Sequence, residues 1–173
     1  MRHLRHLLPA LLLLGACSSL HDDIRVSTVK DPAVDLHTPR TYSWAPSVGM
    51  LADATGTWSR SGADLDAALR NAVGRELRAA GYSEVHAGAD VQMALLILGD
   101  RTQIEKLSHE PGAPADPTIL TEGSLLVEMI DPKTGRVLWR GAAHSSTQAV
   151  HTQAEMTNRI DYAVAQMFEA FHS

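Results

Sequence analysis

The chain has 173 residues, with 15 Lys and Arg against 20 Asp and Glu and a formal charge of -5. At 45% hydrophobic and 20% charged residues it has the composition of one ordinary globular domain, neither disordered nor collagen-like. The negative total argues against nucleic acid as the main partner, because no basic stripe is present to neutralise phosphates.

Arg2 and Arg5 precede an apolar run containing Leu11, Leu12, Leu13 and Leu14. The run falls short of the roughly 20 apolar residues that cross a bilayer, so it reads as a targeting segment. It ends in Leu14-Gly15-Ala16-Cys17, which resembles the bacterial lipobox, where small residues before a cysteine admit the peptidase and the thiol receives a diacylglyceryl group. Residues 1–16 are therefore expected to be a signal peptide cleaved between Ala16 and Cys17. Cys17 is the expected lipidation site and, being the single cysteine, allows no internal disulfide. Cleavage leaves 157 residues at a charge of -7, since two arginines and no acids are removed. Such an acidic body is not drawn to anionic headgroups, so acyl chains such as palmitate must hold it, at about 0.8 kcal/mol per buried CH₂. Ser18 follows. In lipoproteins of Gram-negative bacteria, which this start resembles, a residue other than Asp there directs the protein to the outer membrane, here facing the periplasm. Residues 17–23 are read as a lipidated tether and 24–173 as a single domain, with Asp22 and Asp23 beside His21 solvated in the tether.

Residues 24–29 (Ile-Arg-Val-Ser-Thr-Val) are β-branched and partly alternating, as in a half-buried strand. Asp31-Pro32 and Thr38-Pro39 punctuate the next stretch, and in Thr41-Tyr42-Ser43-Trp44 the two aromatics share a face. Residues 46–60 read as a loop. Over residues 61–80, Leu65, Leu69, Val73 and Leu77 recur at helical spacing with Ala68, Ala72 and Ala80, and Gly81 is placed for a C′ cap. Residues 89–98 form an apolar strand with Val91, Met93, Leu95 and Ile97 on one side and Leu96 and Leu98 on the other, suited to the middle of a sheet. The aperiodic stretch 99–121, with Pro111, Pro114 and Pro117, reads as a long solvated loop. Residues 122–130 and 137–147 are strands joined by the turn Asp131-Pro132-Lys133-Thr134-Gly135-Arg136. A four-residue loop pairs Asp131 with Arg136 and puts Arg140 beside Val127, whereas a three-residue loop sets Arg140 opposite Glu128; the first is preferred. Met156, Ile160, Val164, Met167, Phe168 and Phe171 then mark an amphipathic helix over residues 153–171. This order predicts an α+β fold, a mostly antiparallel sheet with two amphipathic helices packed on one face as a two-layer sandwich.

The segments Thr41-Tyr42-Ser43-Trp44, Leu77 through Gly81-Tyr82, Ala89-Asp90-Val91, the hairpin from Glu122-Gly123-Ser124-Leu125 to Val137-Leu138-Trp139-Arg140-Gly141, and the last helix with Phe168 and Phe171 resemble the bacterial lipoprotein family known as domain of unknown function 4136. Trp139-Arg140-Gly141 is the most specific of them. The resemblance implies a small envelope lipoprotein with a mixed α/β domain, and no activity or catalytic residue comes with it.

Chemistry is sparse. Seven histidines remain after cleavage: His21, His37, His86, His109, His144, His151 and His172. None lies in a His-Glu-x-x-His motif; His144, His151 and Glu155 are the nearest thing to a ligand set, and surface histidines apart in space are the favoured reading, so no metal and no cofactor is expected. There is no Gly-x-Ser-x-Gly elbow, and Ser145 and His144, adjacent on a strand, point to opposite faces. Trp44 and Trp139 are assigned to the core. Trp58 in its Gly-flanked loop, His109 in the Pro-containing stretch and Arg140, opposite in direction to Trp139, are the candidate partner surface. The expectation is a non-enzymatic envelope lipoprotein that binds another envelope protein, held to the membrane through Cys17. A carrier of a small apolar ligand or lipid is the alternative, and a hydrolase built on His144 or His151 the weakest reading.

Overall fold

The computed structural model describes residues 20–38, 40–45, 58, 62–98, 121, 123–146 and 151–169. Over the described residues the chain runs β1 (Ile24–Lys30), β2 (Thr41–Trp44), α1 (Gly62–Ala79), β3 (Ser83–Glu84), β4 (Val91–Ile97), β5 (Leu125–Ile130), β6 (Val137–Ser145) and α2 (Gln153–Phe168). The strands make one open six-stranded sheet in the order β1-β6-β5-β4-β2-β3.

The α+β class agrees with the sequence, but the sheet is mixed rather than mostly antiparallel. β1 with β6, β6 with β5 and β5 with β4 are antiparallel, whereas β2 runs parallel to both β4 and β3. The cause is the connection. The chain leaves β2, crosses the sheet as α1 and re-enters at the same end, which makes the neighbouring strands parallel.

Local chemistry fixes the helix ends. Gly81 takes φ 85° after α1, and Tyr82 N–H donates to the Leu77 carbonyl at 2.8 Å, the expected left-handed C′ cap. At the start of α2 the Thr152 hydroxyl accepts from Glu155 N–H while the Glu155 carboxylate accepts from Thr152 N–H at 2.7 Å, a reciprocal capping box.

Both helices cover one sheet face. Leu65, Leu69, Val73 and Leu77 of α1 and Ile160, Val164, Met167 and Phe168 of α2 are buried against Val91, Met93, Val127, Met129 and Trp139. Trp139 and Phe168 meet at 5.0 Å between ring centroids. Val34 and Leu36, between β1 and β2, also enter this core, and the Tyr82 hydroxyl fixes them by donating to the Leu36 carbonyl at 3.0 Å. The other face is not bare: Leu98, Leu126 and Ala142 form a second buried cluster with Leu96 against it.

The hairpin register combines the two alternatives. Asp131 N–H does bond to the Arg136 carbonyl at 2.9 Å, closing the four-residue loop, and Gly135 takes φ 71° within it. A bulge comes next, because Ile130 pairs with Val137 but Met129 pairs with Trp139, leaving Leu138 as the extra residue. Beyond the bulge Arg140 lies opposite Glu128, not Val127.

Gly141 lets α2 approach β6. A Cβ added there would sit 2.8 Å from the Trp139 ring and 2.9 Å from both Cβ and Cγ of Met167. Gly141→Ala is therefore expected to lower stability by about 1–3 kcal/mol, measured by urea unfolding. A neutral result would show that α2 is not held at this distance.

Candidate functional site

Among the sequence-selected residues, Ala16, Cys17 and His109 lie outside the described residues. The other two candidates for an exposed surface are corrected. Trp58 is fully buried in the main core and its indole N–H donates to the Gly123 carbonyl at 2.8 Å. Flanking glycines suggested exposure, but in a chain with eight aromatic side chains a large indole contributes more inside. Arg140 is also buried, at 1% exposure, on the sheet face away from the helices. Its Nε donates to Glu128 Oε1 at 2.6 Å, and Glu128 is buried as well. The bulge at Leu138 is what places these two residues directly opposite each other on adjacent strands.

This pair predicts a characteristic mutational pattern. Glu128→Leu leaves a guanidinium buried without its carboxylate and is expected to destabilise by about 3–5 kcal/mol, whereas adding Arg140→Met should recover most of that loss. Denaturant unfolding of the two variants checks it; equal losses in both would contradict a desolvated pair.

A second buried charge network joins the start of the domain to the end of the sheet. Arg159 of α2 is 1% exposed. Its Nη1 and Nη2 donate to the two Asp23 oxygens at 2.8 and 2.7 Å, and Nη2 also donates to Ser145 Oγ at 2.7 Å. Ser145 in turn donates to Asp23 at 2.6 Å, and Arg159 Nη1 also donates to the Leu20 carbonyl. Asp23 is thus not a free carboxylate in a solvated tether. Hydrogen bonding to Arg159 holds its carboxyl far below the usual carboxylate range. Beside it, His21 stacks on Tyr162 at 4.2 Å between centroids and shares a 2.6 Å hydrogen bond with Asn158. The unrecognised signal was Arg159 itself, which interrupts the inward stripe between Met156 and Ile160 and had to find an anion.

These contacts decide where the histidine and serine chemistry stands. His144 and Ser145 do alternate across β6; Ser145 is bound to Asp23 and Arg159, while His144 Nδ1 lies 2.8 Å from Thr121 Oγ1 on the other face. Burial lowers the His144 pKa. Among the described residues no group of three or more His, Cys, Asp or Glu is placed to hold a metal ion.

At the opposite end of the sheet, residues from three connections line an open cleft of about 580 Å³. Arg40, Lys133 and Arg136 supply its positive charge, Asp90 and Asp131 its negative charge, and Val34 and Leu138 its apolar floor. The carboxylates are committed locally. Asp90 accepts from Thr41 N–H at 2.9 Å and Thr41 Oγ1 at 2.7 Å; Asp131 accepts from Lys133 N–H and Thr134 Oγ1, both at 2.8 Å. These bonds lower both pKa values. Arg136 reaches Asp31 at 3.1 Å. Recognition of a charged or hydrogen-bonding partner surface suits such a cleft better than an apolar ligand does.

The family model described as "Domain of unknown function (DUF4136)" matches residues 26–171. The chain belongs to this family. In this chain the Trp139-Arg140-Gly141 triplet combines a core ring, a buried ion-pair partner and a close contact beneath α2. A DUF4136 family protein from Bacteroides thetaiotaomicron has the same fold, with a TM-score of 0.55, 16% identity, and coverage of 84% of this chain and 96% of that one. Also similar are a PDZ domain protein from Parabacteroides distasonis (TM-score 0.49, 13% identity, 83% of this chain, 36% of that one) and the PelC dodecamer from Paraburkholderia phytofirmans (TM-score 0.41, 11% identity, 82% and 96%). No curated protein matches the chain.

The titrating groups fix the sign of the pH dependence. Asp23, Asp35, Asp90, Asp131 and Glu155 all have pKa values lowered by hydrogen bonds in the fold. Their contribution is complete above the unfolded values near pH 4 and is lost as the pH falls through the folded ones. Half-buried His144 prefers its neutral form, so it adds a smaller loss beginning below about pH 6.5. A urea midpoint that declines slightly from pH 7 to 5 and steeply below pH 4 is expected; a midpoint rising on acidification would contradict these assignments.

Proposed function

We propose that this protein is a lipid-anchored lipoprotein of the bacterial envelope, whose domain is a non-enzymatic module that binds another envelope protein. The observation that carries the reading is the N-terminal sequence: a basic start, an apolar run, and Leu14-Gly15-Ala16-Cys17. Among the described residues no helix is long and apolar enough to cross a membrane. Ser18 favours the outer membrane, with the domain on its periplasmic side.

The binding role is favoured by two features. The Ser145 hydroxyl is consumed by Asp23 and Arg159 and separated from His144, so it does not serve as an activated nucleophile. The cleft around Arg40, Lys133 and Arg136 offers charges and hydrogen-bonding groups on an exposed rim, which is where partner choice is set. A small apolar ligand is the second-ranked occupant, since the described core is filled by side chains such as Trp58 and Trp139.

Metabolic labelling with a palmitate analogue and membrane fractionation test the location. Wild type is expected to carry the label and sediment with outer membranes, and Cys17→Ser to lose both. Unlabelled wild-type protein in the soluble fraction would overturn the anchor. Turnover of a defined substrate by the mature domain, abolished by a point substitution, would overturn the binding role.

A further inference from the structure

The residues after the anchor form part of the domain, not a free linker. Leu20 and Asp23 are both bound by Arg159, whose guanidinium is buried. Between them His21 is stacked on Tyr162 and bonded to Asn158, and its carbonyl accepts from Ile24 N–H at 2.9 Å. Ser146 N–H reaches the Asp23 carbonyl at 3.3 Å. The held chain therefore reaches back to Leu20, and only three peptide units separate Leu20 from Cys17. Fully extended, they span at most about 11 Å.

That length is short compared with the domain. β6 runs from the charged cleft at Leu138 to the Arg159 network at Ser145, seven residues or about 23 Å at the rise of an extended strand. A domain turned with its cleft toward the bilayer would carry Leu20 farther from the headgroups than the leash allows.

We propose that the flank formed by residues 20–23 and by the side of α2 carrying Ala154, Asn158 and Tyr162 is seated against the bilayer that holds the anchor, with the cleft facing away. This rests on the lipoprotein reading above. It names the surface apposed to lipid and assigns the partner-binding end to the opposite pole. Charge attraction is not what seats it, because His21 and Asn158 are committed to each other and Asp23 to Arg159; the short leash is the cause. The partner must accordingly reach within a domain's length of the membrane.

The test couples the mature domain, residues 17–173, through its single cysteine to a maleimide lipid in a nanodisc doped with headgroup spin label. Chemical coupling makes the outcome independent of acylation in the cell, so loss of palmitate labelling in vivo would sink the location while leaving this result standing. Amide signals of residues 20–24 and 154–162 are expected to broaden most, with those of 131–136 nearly unchanged. A twenty-residue Gly/Ser spacer between Ser19 and Leu20, with a root-mean-square span of about 25 Å, should erase that gradient. Uniform broadening without the spacer, or broadening strongest at residues 131–136, would overturn the seating. A gradient that survives the spacer would overturn the leash as its cause.

Discussion

Arg159 is almost wholly buried, and a guanidinium in that position must be given oxygens to replace water. Asp23 supplies two, Ser145 one and the Leu20 carbonyl one more. Those residues come from the chain start, the end of β6 and the middle of α2, so one cation closes the corner where the first strand, the last strand and the last helix meet. The Asp23 side chain is 18% exposed, which places the network at the rim of the core, where water can still reach its anionic side. The same bonds hold the chain as far back as Leu20, three residues after Cys17. Under the proposed anchoring at Cys17, a structural charge pair thereby sets a geometric limit on how the domain would stand on a membrane.

The hairpin shows the same economy on the opposite sheet face. Asp131 accepts from Lys133 N–H and Thr134 Oγ1 and closes its loop on Arg136, while Leu138 enters as an unpaired extra residue. That single insertion turns Arg140 toward Glu128, turns Trp139 into the helix-covered core and brings Gly141 beneath Met167. Without the bulge the three residues would each meet a different neighbour. The neighbours of these three residues therefore depend on a two-versus-one count at one point of β5 and β6.

Periodicity was enough to place the helices. The stripes Leu65-Leu69-Val73-Leu77 and Ile160-Val164-Met167-Phe168 do face the core, and Gly81 does take the left-handed turn. Strand direction was less legible. β2 has four residues and no hairpin signal, and its parallel pairing with β4 arises from the path of α1, which is a tertiary fact. Exposure was misread at Trp58 and Arg140 because local cues, a glycine-flanked position and strand alternation, say which way a residue points but not what covers it. Asp23 failed in the same way. An acid beside His21 in a polar N-terminal stretch looks solvated until a buried arginine 136 positions later is brought against it.

Leu20 and Asp23 are held to the domain through Arg159, so residues 20–23 are part of it rather than a free tether. Amide hydrogen exchange of the mature domain tests this most directly at Ile24 and Ser146, whose N–H groups bond to His21 and Asp23. Protection comparable to the interior of β1 and β6, collapsing in Arg159→Met while the β4–β5 pair stays protected, is the predicted result. Exchange of Ile24 and Ser146 at the rate of an unstructured chain in the wild-type domain would contradict it.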